Sequence, residues 1–197
     1  MAHAPSAPDQ PAAAGAGPEL ERRYYLDLAR PRHAPAALMR LIQQDVPAFV
    51  PAELARFEPR LAQPGCLQVG DEFFVKMLGP WDGGVRVTAV DATSFELLTL
   101  EGHPEAGRIR FEAGWLDADP AVLRVQVHSW ARSRDGLVAF VYDTLGSGKL
   151  LQEAVWVAFC QRAAAACGGE AQGPVTVETT RFAPGQPPQH TRHHAPA

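Results

Sequence analysis

From Phe73 to Trp130 the chain alternates short β-prone runs with turn residues. Val85, Val87 and Ala89 stand against Arg86 and Thr88; Ile109, Phe111, Ala113 and Trp115 against Arg108, Arg110 and Glu112; Leu123, Val125 and Val127 against Arg124, Gln126 and His128. Successive side chains of a strand point to opposite sides of a sheet, so this parity predicts strands with one apolar and one wet face. The expected strands run from Phe73 to Leu78, Val85 to Val90, Phe95 to Leu100, Arg108 to Trp115 and Val122 to Trp130. The turn signals between them, above all Asp82-Gly83-Gly84, predict an antiparallel meander.

Ahead of the meander, Tyr24 to Leu28 reads as a first strand that Pro31 closes. Ala37, Leu38, Leu41 and Ile42 then recur at helical spacing, and Pro51 to Phe57 reads as a second short helix, with Pro at its first position and Glu53 in its first turn. Asp135 to Leu145 reads as a short helix or loop. From Gly148 to Cys167, Leu150, Leu151, Ala154, Val155, Ala158 and Phe159 form a broad apolar stripe, and Gly168-Gly169 offers a stop. Such a helix of about 20 residues spans about 30 Å, enough to cover a one-sided sheet. The expected class is α+β, a curved antiparallel sheet wrapped around a long C-terminal helix, with two short helices after the first strand.

That order of elements resembles the helix-grip fold shared by START lipid-transfer domains and birch-pollen-allergen-like proteins. Val69-Gly70-Asp71, Gly79-Pro80-Trp81, Thr99-Leu100-Glu101-Gly102-His103-Pro104-Glu105-Ala106-Gly107 and Ser129-Trp130-Ala131-Arg132-Ser133 resemble an uncharacterised bacterial and plant family of that superfamily. The resemblance covers roughly residues 24 to 168, and the stretch around His103 is its specific signal. After Trp130 the chain has Ala-Arg-Ser where that pattern carries Ser-Arg-Pro, so no role tied to the proline carries over. The resemblance implies a scaffold for a hydrophobic ligand and no particular chemistry.

Composition narrows this picture. Residues 1–18 and 170–197 are rich in Pro, Ala, Gly and Gln and read as disordered tails around one domain over 19–169. A formal net charge of −4, with no Lys/Arg-dense stripe, disfavours nucleic-acid binding. Cys66, Cys160 and Cys167 make no C-x-x-C pair, which points to a reducing compartment and a cytoplasmic location. Neither a secretory signal nor an apolar run long enough to span a bilayer is present, so no integral membrane association is expected. No oligomeric state is assigned.

The candidate chemistry is sparse. His103 and Glu105, in the loop joining two strands, could act as base and acid if both faced a cavity; otherwise they hydrogen-bond the turn. Trp81 reads as a cavity-mouth contact or a turn anchor. Arg108 and Arg110 could hold an anionic head group, or belong to the solvated face. His128 and Trp130 fall on the polar side of their strand. Tyr142 is a further candidate ligand contact, while Gly146 to Lys149 lacks the full phosphate-loop pattern, since Leu150 follows the lysine. His190, His193 and His194 read as a solvated tail rather than metal ligands, and no cofactor is implied. The leading expectation is a module binding a hydrophobic or lipid-like small molecule through Trp81, His103, Glu105, Arg110 and Tyr142. The alternatives are a hydrolase, cyclase or isomerase using His103 and Glu105, and an interaction protein without a small ligand.

Overall fold

The structure, a computed structural model, describes residues 6–61, 65–77, 82–119, 121–135 and 147–196. The meander forms as its parity predicts: β3 (Glu72–Met77), β4 (Gly83–Asp91), β5 (Ser94–Thr99), β6 (Glu105–Trp115) and β7 (Val122–Ser133), each antiparallel to the next. Phe95, Leu97, Phe111, Ala113, Leu123, Val125 and Val127 are buried on its inner face. Two parity assignments fail locally. A register shift between Val87 and Ala89 leaves Ala89 only half-buried and turns Val90 to the core, and Trp115, at the very end of β6, is exposed because the strand overhangs the core there.

The first strand is longer than expected. β1 (Ala16–Ala29) lies between β7 and a strand near the chain's end, and its inner residues Tyr24, Leu26 and Leu28 are buried. Next comes α1 (Pro35–Gln44), whose Leu38, Met39 and Ile42 are wholly enclosed, then the single turn α2 (Val46–Phe49), where Asp45 accepts from the Ala48 N–H at 3.2 Å. The second helix expected at Pro51 to Phe57 is absent. After a turn the chain extends into β2 (Ala55–Leu61), because Ala55 and Phe57 are buried on either side of exposed Arg56, a period of two rather than 3.6. Phe57 pairs with Val75 in register and tilts against Phe73 at 6.1 Å.

The long helix α3 (Ser147–Cys167) ends where Gly168 adopts φ 66°, a left-handed stop in which the Gly168 N–H donates to the Ala164 carbonyl at 3.0 Å. Its buried stripe is Val155, Trp156, Phe159, Cys160, Ala163 and Cys167; Ala154, expected in the stripe, is exposed. The helix packs on β1 and β7 and on α1 and α2. Phe111 is the junction, stacked on Phe95 at 4.6 Å and meeting Phe159 at 4.9 Å and Trp156 at 5.5 Å. Burial pushes the Cys160 thiol up to about 12, so it stays an inert thiol.

This helix is not the last element. Residues expected as a disordered tail form β8 (Glu170–Ala171), β9 (Thr176–Phe182) and β10 (Gln189–His194), and the described sheet runs β10-β9-β1-β7-β6-β5-β4-β3-β2, with β8 also on β1. The Thr-Val-Glu-Thr-Thr-Arg-Phe run of β9 is rich in β-branched residues, a local signal that outweighs the Pro-rich composition around it. Val175 and Val177 are buried, and His193 reaches back to Glu153 of α3 at 3.0 Å, while His190 and His194 meet Thr180 and Thr176. The other expected tail is also packed: Asp9 bridges Leu100 and Gln10 is buried. Among the described residues, no helix is long and apolar enough to cross a membrane.

Candidate ligand cavity

Between β5 and β6, Gly102, His103 and Pro104 make a tight connection that the N-terminal segment holds from outside the sheet's path. Gln10 Nε2 donates to the carbonyls of His103 and Glu105, each at 2.9 Å, and the Gly102 N–H donates to Gln10 Oε1 at 3.2 Å. The Gln10 backbone also pairs with Thr99. Nothing in the local sequence marks Gln10, since a glutamine in a Pro/Ala-rich stretch is the composition of a solvated tail.

So held, His103 is buried, and its Nδ1 lies 3.0 Å from the Glu105 N and 2.9 Å from the Glu105 carbonyl oxygen, so the ring is tied to the backbone of that residue. Burial lowers its pKa, and the nearby Glu105 only partly opposes this. The Glu105 carboxylate turns elsewhere. It takes Arg22 Nη1 of β1 at 3.3 Å and Gln152 Nε2 of α3 at 2.8 Å, and Arg22 also bonds Gln152 Oε1. The two residues expected as an acid and base pair are thus adjacent, but the imidazole bonds the backbone of Glu105, and its carboxylate ties three elements together.

Beside them a cavity of about 90 Å³ opens between the inner face and α3. Its walls are mostly apolar, with Phe57, Val85, Leu97, Ile109 and Val155 among them, and His103, Glu105, Thr99, Gln152, Ser129 and Trp156 bring the polar atoms. Thr99 Oγ1 is already engaged with the Gln10 carbonyl at 2.8 Å and the Gly107 N–H at 2.9 Å. By contrast, Ser129 Oγ and Trp156 Nε1 are buried with no hydrogen-bond partner among the described residues. Two shallower clefts, beside α2 and beside the turn at Ala12–Ala14, have roomier free space of about 230 Å³ and about 290 Å³; the first sets buried Gln43 and Asp71 beside Leu67 and Phe73, but Gln43 already bonds the Asp91 and Ser94 carbonyls and Asp71 the Gln68 N–H.

Arg110 does not join the cavity. It lies on the outer face, bonded to Glu112 at 3.1 Å and Ser94 at 2.8 Å, as its parity against Ile109 requires. Arg108 reaches the same face, over the Trp130 ring at 4.2 Å and onto Glu96 at 2.9 Å. His128 is outward too, covered by Trp130 at 3.6 Å and facing Glu21 at 2.8 Å; burial lowers its pKa, with Glu21 opposing. Trp81 and Tyr142 lie outside the described residues. The residues that sequence reasoning missed are Ser129 and Trp156. Ser129 shares the inward parity of Val125 and Val127, and Trp156 stands one residue from Val155 in the helical stripe, so both positions were readable.

The family model of DUF1990, a domain of unknown function, matches residues 48–165. The chain belongs to the DUF1990 family. Every residue lining the cavity, from Leu54 to Trp156, falls within the DUF1990 span, whereas β1 and the β9–β10 hairpin lie outside it. No curated protein matches the chain. Among solved structures, it is similar to norcoclaurine synthase from Thalictrum flavum, at 12% identity over 77% of this chain and 88% of that one, with a TM-score of 0.49. A conserved protein from Geobacillus kaustophilus is similar at 13% identity over 75% of this chain and 97% of that one, TM-score 0.46. Protein Ms6760 from Mycobacterium smegmatis is similar at 17% identity over 72% and 90%, TM-score 0.39.

Proposed function

We propose that this DUF1990 protein is a binding module of the START-like, helix-grip kind, which encloses a hydrophobic small molecule between the sheet's inner face and α3. The observation that carries this reading is the cavity itself: an apolar space lined by two residues, Ser129 and Trp156, whose buried polar side-chain atoms have no partner among the described residues. A core evolved only for packing fills such space and pairs such atoms, whereas small-molecule sites combine apolar walls with a few convergent polar groups.

An enzyme on the same scaffold draws on one observation, that His103 and Glu105 both border the cavity. Each is already committed, His103 Nδ1 to the Glu105 backbone and the Glu105 carboxylate to Arg22 and Gln152. Binding is therefore the reading the geometry favours.

Native mass spectrometry of the full chain, followed by solvent extraction, tests it. The expected result is an apolar small molecule that co-purifies, or N-phenyl-1-naphthylamine whose fluorescence rises on mixing and falls when Ile109→Trp fills the cavity. A bare chain that leaves the probe unchanged overturns the proposal.

A further inference from the structure

The cavity's polar atoms are not equivalent, and their inventory restricts what they accept. Thr99, His103 Nδ1 and the Glu105 carboxylate have protein partners. The positive charge of Arg22 is balanced by Glu105 at the cavity's rim. Beside the imidazole, Ser129, 4% exposed, and Trp156, 9% exposed, have Oγ and Nε1 buried and unpartnered among the described residues. Both residues line the cavity. Ser129 pairs in register with Ile109, itself a cavity wall, and the Trp156 ring meets Phe111 edge-on at 5.5 Å.

An indole N–H donates and never accepts, and a serine hydroxyl can donate as well. A buried donor left without an acceptor is costly, so the complement to this site is an oxygen that offers lone pairs and needs no proton in return. A carboxylate would supply lone pairs but bring a charge into an apolar space beside which Arg22 and Arg108 are already paired, with Glu105 and Glu96. Resting on the binding reading above, we infer that the cavity selects neutral, apolar molecules carrying a carbonyl-type acceptor oxygen, which takes the Trp156 N–H and the Ser129 hydroxyl.

Acetophenone and ethylbenzene test this, because they match in shape and differ by a carbonyl in place of a methylene. In titrations of the full ¹⁵N-labelled chain, acetophenone is expected to bind about tenfold more tightly, the scale of one net buried hydrogen bond. It should also move the Trp156 indole N–H resonance downfield, while ethylbenzene should not. Trp156→Phe identifies that resonance by its loss and should bring the two affinities within about twofold of each other. Should that variant fail to fold, Ser129→Ala keeps the indole and is expected to weaken acetophenone alone. Equal affinities in the wild type, with the indole resonance unmoved, overturn the donor assignment and leave the binding reading standing. If neither compound perturbs a cavity resonance, both fall.

Discussion

Gly83 and His103 are in contact so close that a Cβ on Gly83 would lie 2.5 Å from His103 Cδ2. The start of β4 therefore forms the floor on which the cavity's imidazole rests. Gly83→Ala must push His103 and its loop aside and is expected to cost about 1–3 kcal/mol, the range for overpacking. Urea unfolding checks it; a Cβ there would also lie 2.7 Å from His103 Cα and 2.8 Å from His103 Cβ, which alanine keeps, so in a double-mutant cycle His103→Ala is expected to relieve only part of the loss, and full relief would show that the ring alone stands in the way.

The two buried histidines give a pH dependence of definite sign. Burial lowers the pKa of folded His103 and of folded His128 below their ordinary 6.5. The unfolded chain therefore takes up protons first as pH falls, so their contribution is complete above about pH 6.5 and is lost on acidification toward the folded values. Urea midpoints are expected to fall between about pH 8 and about pH 5.5, and His103→Asn to flatten the slope. A slope unchanged in that variant would exclude His103 as a source.

Arg22 and Glu105 form a largely buried ion pair that Gln152 completes. Glu105→Ala leaves the guanidinium buried without this carboxylate and is expected to cost about 3–5 kcal/mol. Replacing both, as Arg22→Met with Glu105→Leu, should cost less than the single change, because the buried charge goes too. Equilibrium denaturation distinguishes the two results.

Removing residues 174–197 strips β9 from β1 and with it the buried Val175 and Val177. At about 1.5–3 kcal/mol for each such side chain, the loss should be about 3–6 kcal/mol. A thermal transition unchanged by the truncation would show that the hairpin adds nothing to the fold.

Much of this architecture was legible in the chain because the meander obeys a period of two over long runs and α3 ends at a diglycine. Errors arose where a local signal was short or a tertiary one decisive. Pro51 and Glu53 imitate a helix start, yet only the alternation of Ala55 and Phe57 reveals β2. β9 and β10 were hidden by the composition around them, and Gln10 owes its burial to a loop about ninety residues away, which no window of sequence contains. At the site, His103 and Glu105 were found by their loop, but their actual partners, Gln10, Arg22 and Gln152, come from three other parts of the chain. Ser129 stands in no G-x-S-x-G context and Trp156 sits among apolar helix neighbours, so neither carries a local motif.

The sheet's margins have a consequence for solution behaviour. At one margin, β2 carries Pro59, which has no N–H to offer, followed by a bulge before Leu61 and flanked by Arg56, Glu58 and Arg60. At the other, every side chain of β10 is exposed, and the strand displays Arg192 and three imidazoles. Neither offers the flat, greasy template on which stray chains stack into fibrils, so a sheet of this breadth carries its own guard against aggregation.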